Sequence, residues 1–249
     1  MHSERDPRSF ATESRKEIMK PDTEGEGRNM ADYKAKEHYQ DEEIVEGYEG
    51  KRFSGPSGWL RDRLEKRAVR KALREVGAGS KILDMPCGTG RFSRLLQMEK
   101  NEVAHADISE EMLQYARKRS DCSGGNLGYI RCEAENLPFH EGAFNSVLCF
   151  RFLPHLPVES RKRALSELAR VSRGPLVIDY RSKYAFRSLS RWIRFRLGIA
   201  KKLRPRYSLS EISSELSEVG LSVVKWIPVV WLFSEKVVLL CRKHARAQG

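Results

Sequence analysis

The stretch KILDMPCGTGRF, Lys81 to Phe92, constrains this chain more than any other. An apolar run ends on Asp84 and passes at once into a turn in which Gly88 and Gly90 carry no side chain. The run reads as a buried strand, and a glycine turn at its C-terminal tip lets a ligand lie against the backbone. Such a turn needs a sheet whose strand tips gather at one edge.

Alternation along the chain supplies that sheet. KILDM is followed by RFSRLLQM, and EVAHAD by SEEMLQYARKR, where Ser109 is placed as N-cap and Glu110 and Glu111 favour the first turn. LGYIR and FNSVLCF read as further strands, VESRKRALSELARV as a helix closed by Gly174, and PLVIDY as another strand. This is the pattern of a parallel sheet covered by helices on both faces. LSVVKWIPVV and EKVVLLCR are close enough in sequence to pair antiparallel. The fold class that follows is α/β, doubly wound and mostly parallel, with a C-terminal antiparallel hairpin. Residues 1–45 mix both charge signs with few aliphatics and are expected to be disordered or loosely ordered. The folded domain is expected over 46–249, entered through the helix-like WLRDRLEKRAVRKALREV.

Composition narrows the setting. Five scattered cysteines without a CxxC pair or a histidine cluster support neither a disulfide framework nor a zinc site, so no metal is expected. The charged start and the lack of any run near ~18 apolar residues predict a soluble, cytoplasmic protein. A formal net charge of +12 calls for an anionic partner.

Asp107 ends the second strand 17 residues after Gly90, the right remove for a carboxylate that accepts from both ribose hydroxyls. Glu133, after the third strand, is placed to receive the exocyclic amine of a purine. Ser93 stands where a dinucleotide fingerprint wants its third glycine, so a nucleoside without a stringent pyrophosphate site is implied.

Residues Leu83 to Tyr180 resemble the class I S-adenosylmethionine-dependent methyltransferases, especially the group with a motif like LDxPCGTGR. The resemblance implies a Rossmann-like, seven-stranded fold and S-adenosyl-L-methionine as cofactor. It lays Asp84, Pro86, Cys87, Gly88, Thr89 and Gly90 along the methionine part, Asp107 on the ribose and Ile108 beside the adenine. It assigns Glu133 and Ala134 to the adenine segment, and reads FNSVLCFRFLPHL as the fourth strand and its following loop, with Phe150 at the cofactor edge. Asn145 stands where the family usually has Asp, and Glu133 is one methylene longer than its usual counterpart.

The reaction implied is methyl transfer to oxygen or carbon of a small, lipid-linked or saccharide acceptor. His155, in the loop after the fourth strand, is the candidate base; the competing reading is a histidine that hydrogen-bonds its local backbone. Arg151 and Arg181 follow strands four and five, to hold an anionic acceptor group or to sit solvated, and Tyr48 and Arg52 add to the acceptor side. An Asn/Asp-Pro-Pro-aromatic turn for base amino-methylation, a cysteine nucleophile for C5 methylation and the clustered carboxylates of metal-dependent catechol methylation are each lacking. A basic helical insertion is expected over 183–206, where nine cations and no acid interleave with apolar residues. It reads as a contact for an anionic membrane surface, a track for RNA phosphates or a cover over the site, and its position after the fifth strand favours the first and last. The first would place the protein peripherally at the inner membrane surface. The rival class is a catalytically silent, methyltransferase-like binding protein that recruits RNA or anionic membrane through this segment.

Overall fold

The computed structural model describes residues 18–19, 55–119, 125–183, 206–230 and 235–244. Tyr48, Arg52 and positions 184–205 of the basic segment lie outside the described residues. The chain runs α1 (Gly55–Leu73), β1 (Lys81–Asp84), α2 (Ser93–Leu96), β2 (Glu102–Asp107), α3 (Glu110–Arg119), β3 (Asn126–Arg131) and β4 (Ser146–Cys149). It continues with α4 (Val158–Val171), β5 (Leu176–Arg181), α5 (Leu209–Glu218), β6 (Leu221–Pro228) and β7 (Lys236–Lys243).

These strands form one seven-stranded sheet in the order β3-β2-β1-β4-β5-β7-β6. β1 to β5 pair parallel, while β7 runs antiparallel between β5 and β6. The chain steps outward from β1 to β3 and then turns back through β4, so strand order reverses beside β1, where a crevice opens above the tips. β1 and β4 are buried along nearly their whole length, which is why they read as continuous apolar runs rather than as alternation.

Apolar side chains fill both faces. Phe139, Phe144, Leu165, Leu168 and Tyr180 pack on one, and α1 closes the other by setting Ala68, Val69 and Ala72 against Ile82, Leu96 and Leu240. Ile18, from the segment expected to be loosely ordered, is buried in the first of these cores, and its carbonyl accepts from His140 N at 3.1 Å. α5 begins with a capping box in which the Ser208 hydroxyl accepts from Glu211 N and the Glu211 carboxylate accepts from Ser208 N. Gly174 does not close α4, which ends at Val171 with Ser172 extended. A side chain at Gly174 would put its Cβ 2.3 Å from the Asn145 carbonyl oxygen, so glycine there permits a close backbone approach instead.

Candidate active site

Three strand tips build the site. After β1 the backbone folds back so that Cys87 N donates to the Ala106 carbonyl of β2 at 2.8 Å and Gly88 N donates to Asp107 Oδ2 at 2.8 Å. Asp107 Oδ1 accepts from Ser109 N at 3.1 Å. With the Ile108 backbone as a third donor, the carboxylate still has acceptor capacity for a further one. Ser109 in turn caps α3, its hydroxyl accepting from Met112 N at 3.1 Å, as expected from the sequence.

The two glycines of the turn do different work. Gly88 has φ +52°, and a Cβ placed there would meet nothing within 4 Å, so its surface faces open space. Gly90 has φ +71°, and its Cβ would sit 3.0 Å from Ser93 Oγ and 3.1 Å from Ala116 Cβ, so its bareness lets α3 pack against the turn. Only Gly88 leaves room for a ligand.

Burial sets the electrostatics. It pushes the Asp107 carboxyl up to about 6 against the pull of the Ser109, Gly88 and Ile108 backbone donors. Asp84, fully buried at the tip of β1, is also raised by burial, opposed by His105. Burial first, then Asp107 and Asp84, drive the Cys87 thiol well above its ordinary value, so it stays protonated and serves as packing. Ala134 is buried and Ile108 half-buried, while Glu133 pairs with Asn136 in an isolated bridge following β3. Cys132 N donates to the Asp107 carbonyl at 3.0 Å, which brings this third segment beside Asp107. Asn145 sits at the opposite end of the sheet, its side-chain oxygen accepting from Lys81 N at 2.8 Å where β1 begins. The departure from the family's usual Asp therefore falls on strand pairing rather than on the site.

The loop after β4 carries the other candidates. Phe150 is buried and meets Phe92 edge-on with centroids 4.9 Å apart. Arg151 takes the left-handed φ of +61°, and its guanidinium donates to both Glu65 oxygens at 2.9 and 2.8 Å. His155 is exposed at the end of a single 3-10 turn, its backbone N donating to the Phe152 carbonyl at 2.9 Å. Arg181 is half-buried at the tip of β5 and pairs in register with Lys236.

Sequence reasoning missed the group to which Arg151 belongs. Glu65, 2% exposed on α1, lies within 2.9 Å of Arg91, Arg151 and Lys236, and Lys236 Nζ is also 3.6 Å from Asp179 Oδ2. Burial would raise the Glu65 carboxyl, but Lys236, Arg91 and Arg151 outweigh it and hold it at about 2. Burial in turn brings the Lys236 ammonium down to about 8 against Asp179 and Glu65. The cluster ties α1 to the glycine turn, the β4 loop and the β5–β7 pair.

A family profile described as a methyltransferase domain matches residues 82–174. Residues 82–174 therefore belong to a methyltransferase domain. Over 141 residues the chain is 35% identical to the ubiquinone/menaquinone biosynthesis C-methyltransferase of Photorhabdus laumondii, covering 53% of this chain and 52% of the relative. A malonyl-[acyl-carrier protein] O-methyltransferase of Pectobacterium atrosepticum is 35% identical over 109 residues, covering 44% of this chain and 41% of the relative. The chain thus spans about half the length of the curated relatives it matches. Among solved structures, magnesium protoporphyrin IX methyltransferase from Synechocystis PCC 6803 superposes with a TM-score of 0.63 at 18% identity, covering 82% of this chain and all of that one, which establishes the fold.

The methyltransferase domain fits an adenosyl sulfonium. Gly88 offers open space at the strand tip, Asp107 has spare acceptor capacity beside it, and Asp84 Oδ2 is buried without a hydrogen-bond partner. Among the described residues no group of three or more His, Cys, Asp or Glu is placed to hold a metal, and no helix is long and apolar enough to cross a membrane.

Proposed function

We propose that this protein is a methyltransferase that uses S-adenosyl-L-methionine. The observation that carries the reading is Asp107, fixed by the Gly88 and Ser109 backbone donors beside a turn whose Gly88 borders open space. When bound, the sulfonium supplies an electrophilic methyl carbon, so the chain has mainly to hold the partners in line and exclude water. Asp107 accepts from the ribose hydroxyls, Gly88 admits the methionine part alongside Pro86, Cys87, Thr89 and Gly90, and Asp84 offers a buried carboxylate to its ammonium. Ile108, Glu133 and Ala134 border the adenine, and Phe150 closes the edge toward the acceptor. For an oxygen acceptor, the base in this reading is His155, whose exposure lets a proton pass to solvent. Incubation with methyl-labelled cofactor and a fractionated cell extract tests the reading. Label appearing in one acceptor fraction, and lost in D107A, supports it; cofactor binding without transfer to any fraction favours the silent binding protein instead.

For the acceptor, the reading best supported is a small molecule held at or near an anionic lipid surface. The two similar enzymes point to different acceptor classes, since one is named for carbon and the other for oxygen methylation. The physical support is α1. Its buried stripe holds Glu65, Ala68, Val69 and Ala72, and the opposite arc exposes Arg63, Arg67, Arg70 and Lys71 with no acidic residue among them. Trp59, 58% exposed, and Leu60, 50% exposed, stand at the N-terminal end of the same arc. That end lies at the strand tips, because Glu65 one turn further along meets Arg151 and Lys236 there. Cations flanked by an exposed aromatic and an aliphatic side chain suit an anionic bilayer, whose interface accepts the ring and the leucine. Sedimentation with phosphatidylglycerol vesicles, but not with phosphatidylcholine vesicles, is expected for the wild type, and the W59A/L60A variant should sediment less. Equal recovery with both vesicle types would remove the lipid part of the reading and leave the transfer reaction in place.

A further inference from the structure

His105 takes no part in the site as read so far, yet it lies directly under it. It is the register partner of Asp84 across the β1–β2 pair, and neither residue is more than 1% exposed. Its Nδ1 is 3.5 Å from Asp84 Oδ2 and 3.5 Å from Ser93 Oγ, the hydroxyl that a side chain at Gly90 would strike. Neither His105 Nε2 nor Asp84 Oδ2 has a hydrogen-bond partner. The ring stacks on Tyr129 at 5.0 Å with 22° between planes. A leucine would fill comparable space without burying two ring nitrogens, and buried polar atoms left unmatched are uncommon enough to call for a reason.

We infer that His105 is a positioning residue for the cofactor: in the tautomer with hydrogen on Nδ1 it donates to Asp84 Oδ2, and so holds the carboxylate ionised and oriented for the cofactor's ammonium. The assignment rests on the methyltransferase reading given above. It explains both orphaned atoms together. The hydrogen on Nδ1 meets Asp84 Oδ2 once the carboxylate turns slightly toward it, and Nε2 is left as a bare lone pair on a buried ring stacked on Tyr129, with no N–H there to satisfy. Ser93 Oγ stands beside the same nitrogen and limits the ring's rotation. Burial pushes Asp84 toward its neutral form, and a neutral carboxyl would not hold an ammonium, so the donor beneath it has a function.

The charged and titratable groups around the pair are Arg91 after the turn, Cys87 within it, Asp107 on β2, Cys149 on β4, Tyr129 on β3, and Arg117 of α3 over the Tyr129 ring at 5.2 Å. All are retained when only His105 is changed, so a difference between variants reports His105 itself.

The test is the pH profile of binding for the demethylated product S-adenosylhomocysteine, which keeps the ammonium, measured by calorimetry on the full chain. Wild type is compared with His105→Leu, which removes the donor, and with His105→Asn, which keeps an N–H near Nδ1. In His105→Leu the affinity should fall by about tenfold at mildly acidic pH, recover toward wild type as pH rises, and so move its inflection upward; His105→Asn should restore much of the loss. A profile in His105→Leu that coincides with wild type overturns the inference. Failure of the folded wild type to bind at any pH overturns the methyltransferase reading itself, and this assignment with it. Nitrogen NMR of wild-type His105 gives a second check that needs no stable variant: hydrogen on Nδ1 supports the assignment, and hydrogen on Nε2 alone overturns it.

Discussion

Replacing Glu65 by Gln tests whether the buried charge cluster fastens α1 over the site. Gln is nearly the shape of a protonated glutamic acid, so the substitution mimics pushing Glu65 to its neutral form at any pH. With its carboxyl brought from 4.5 down to about 2, ionisation of Glu65 contributes ~3 kcal/mol to the folded state. The sign follows from the direction of the shift. A carboxyl with a depressed folded value stabilises fully above its unfolded value near 4.5, and the contribution fades as pH falls through about 2. Urea denaturation of E65Q at about pH 7 should therefore show a loss of ~3 kcal/mol, consistent with removing one partner from a buried ion cluster. Lys236, already held near 8, can shed its proton in the variant and trim that loss. The gap between wild type and E65Q should narrow steadily below about pH 4.5. A loss under ~1 kcal/mol at about pH 7, or one that stays constant down to acid pH, would refute the idea that three cations converge on this carboxylate.

The two glycines of the turn should separate in their effects. G88A is expected to lose cofactor affinity with only ~1 kcal/mol of stability, because its new methyl enters open space from a left-handed backbone, whereas G90A should lose ~2 kcal/mol or more against Ser93 and Ala116; calorimetry and thermal melts on both variants read the contrast. Affinity for S-adenosylhomocysteine should fall as pH drops through about 6, where Asp107 gains its proton, and D107N should flatten that part of the profile. Because the Asp107 value is raised on folding, its contribution to the unliganded protein is fully present below about 3.8 and is lost as pH rises through about 6, a cost that ribose donors offset on binding. On the far side of the sheet, Arg161 donates to Glu215 and to Tyr207 Oη, and Glu215 also accepts from Tyr180 Oη. R161M should cost ~3 kcal/mol in urea denaturation by stranding that carboxylate, and R161M/E215L should recover part of it.

The strands and the turn were legible in the sequence because each carries a local signal: an unbroken apolar run for a strand buried on both faces, and glycine at the two positive-φ positions of the turn. The seven-stranded sheet and its antiparallel hairpin followed from the alternation and from the family resemblance together, while the strand order came from the structure. The spacing of Asp107 from Gly90 pointed to a carboxylate beside the turn, and its side chain accepts from Gly88 N there. What stayed hidden depends on which faces meet. Glu65 reads as one more solvated charge in RDRLEKR until α1 turns it inward onto three cations. Arg151, read as a substrate contact or a solvated arginine, is paired with that carboxylate. His105 looks like a polar interruption of EVAHAD, and only strand register sets it opposite Asp84. Gly88 and Gly90 are equivalent as letters, and the packing of α3 assigns one to the helix and the other to the open turn.

Titration of S-adenosylhomocysteine into the wild-type chain and into D107A, with circular dichroism on both, tests the central claim most directly. Saturable one-to-one binding by the wild type, weakened at least tenfold in a D107A protein that keeps its fold, is the predicted result. A well-folded wild type that gives no binding, or a D107A variant that binds as tightly as the wild type, would contradict it.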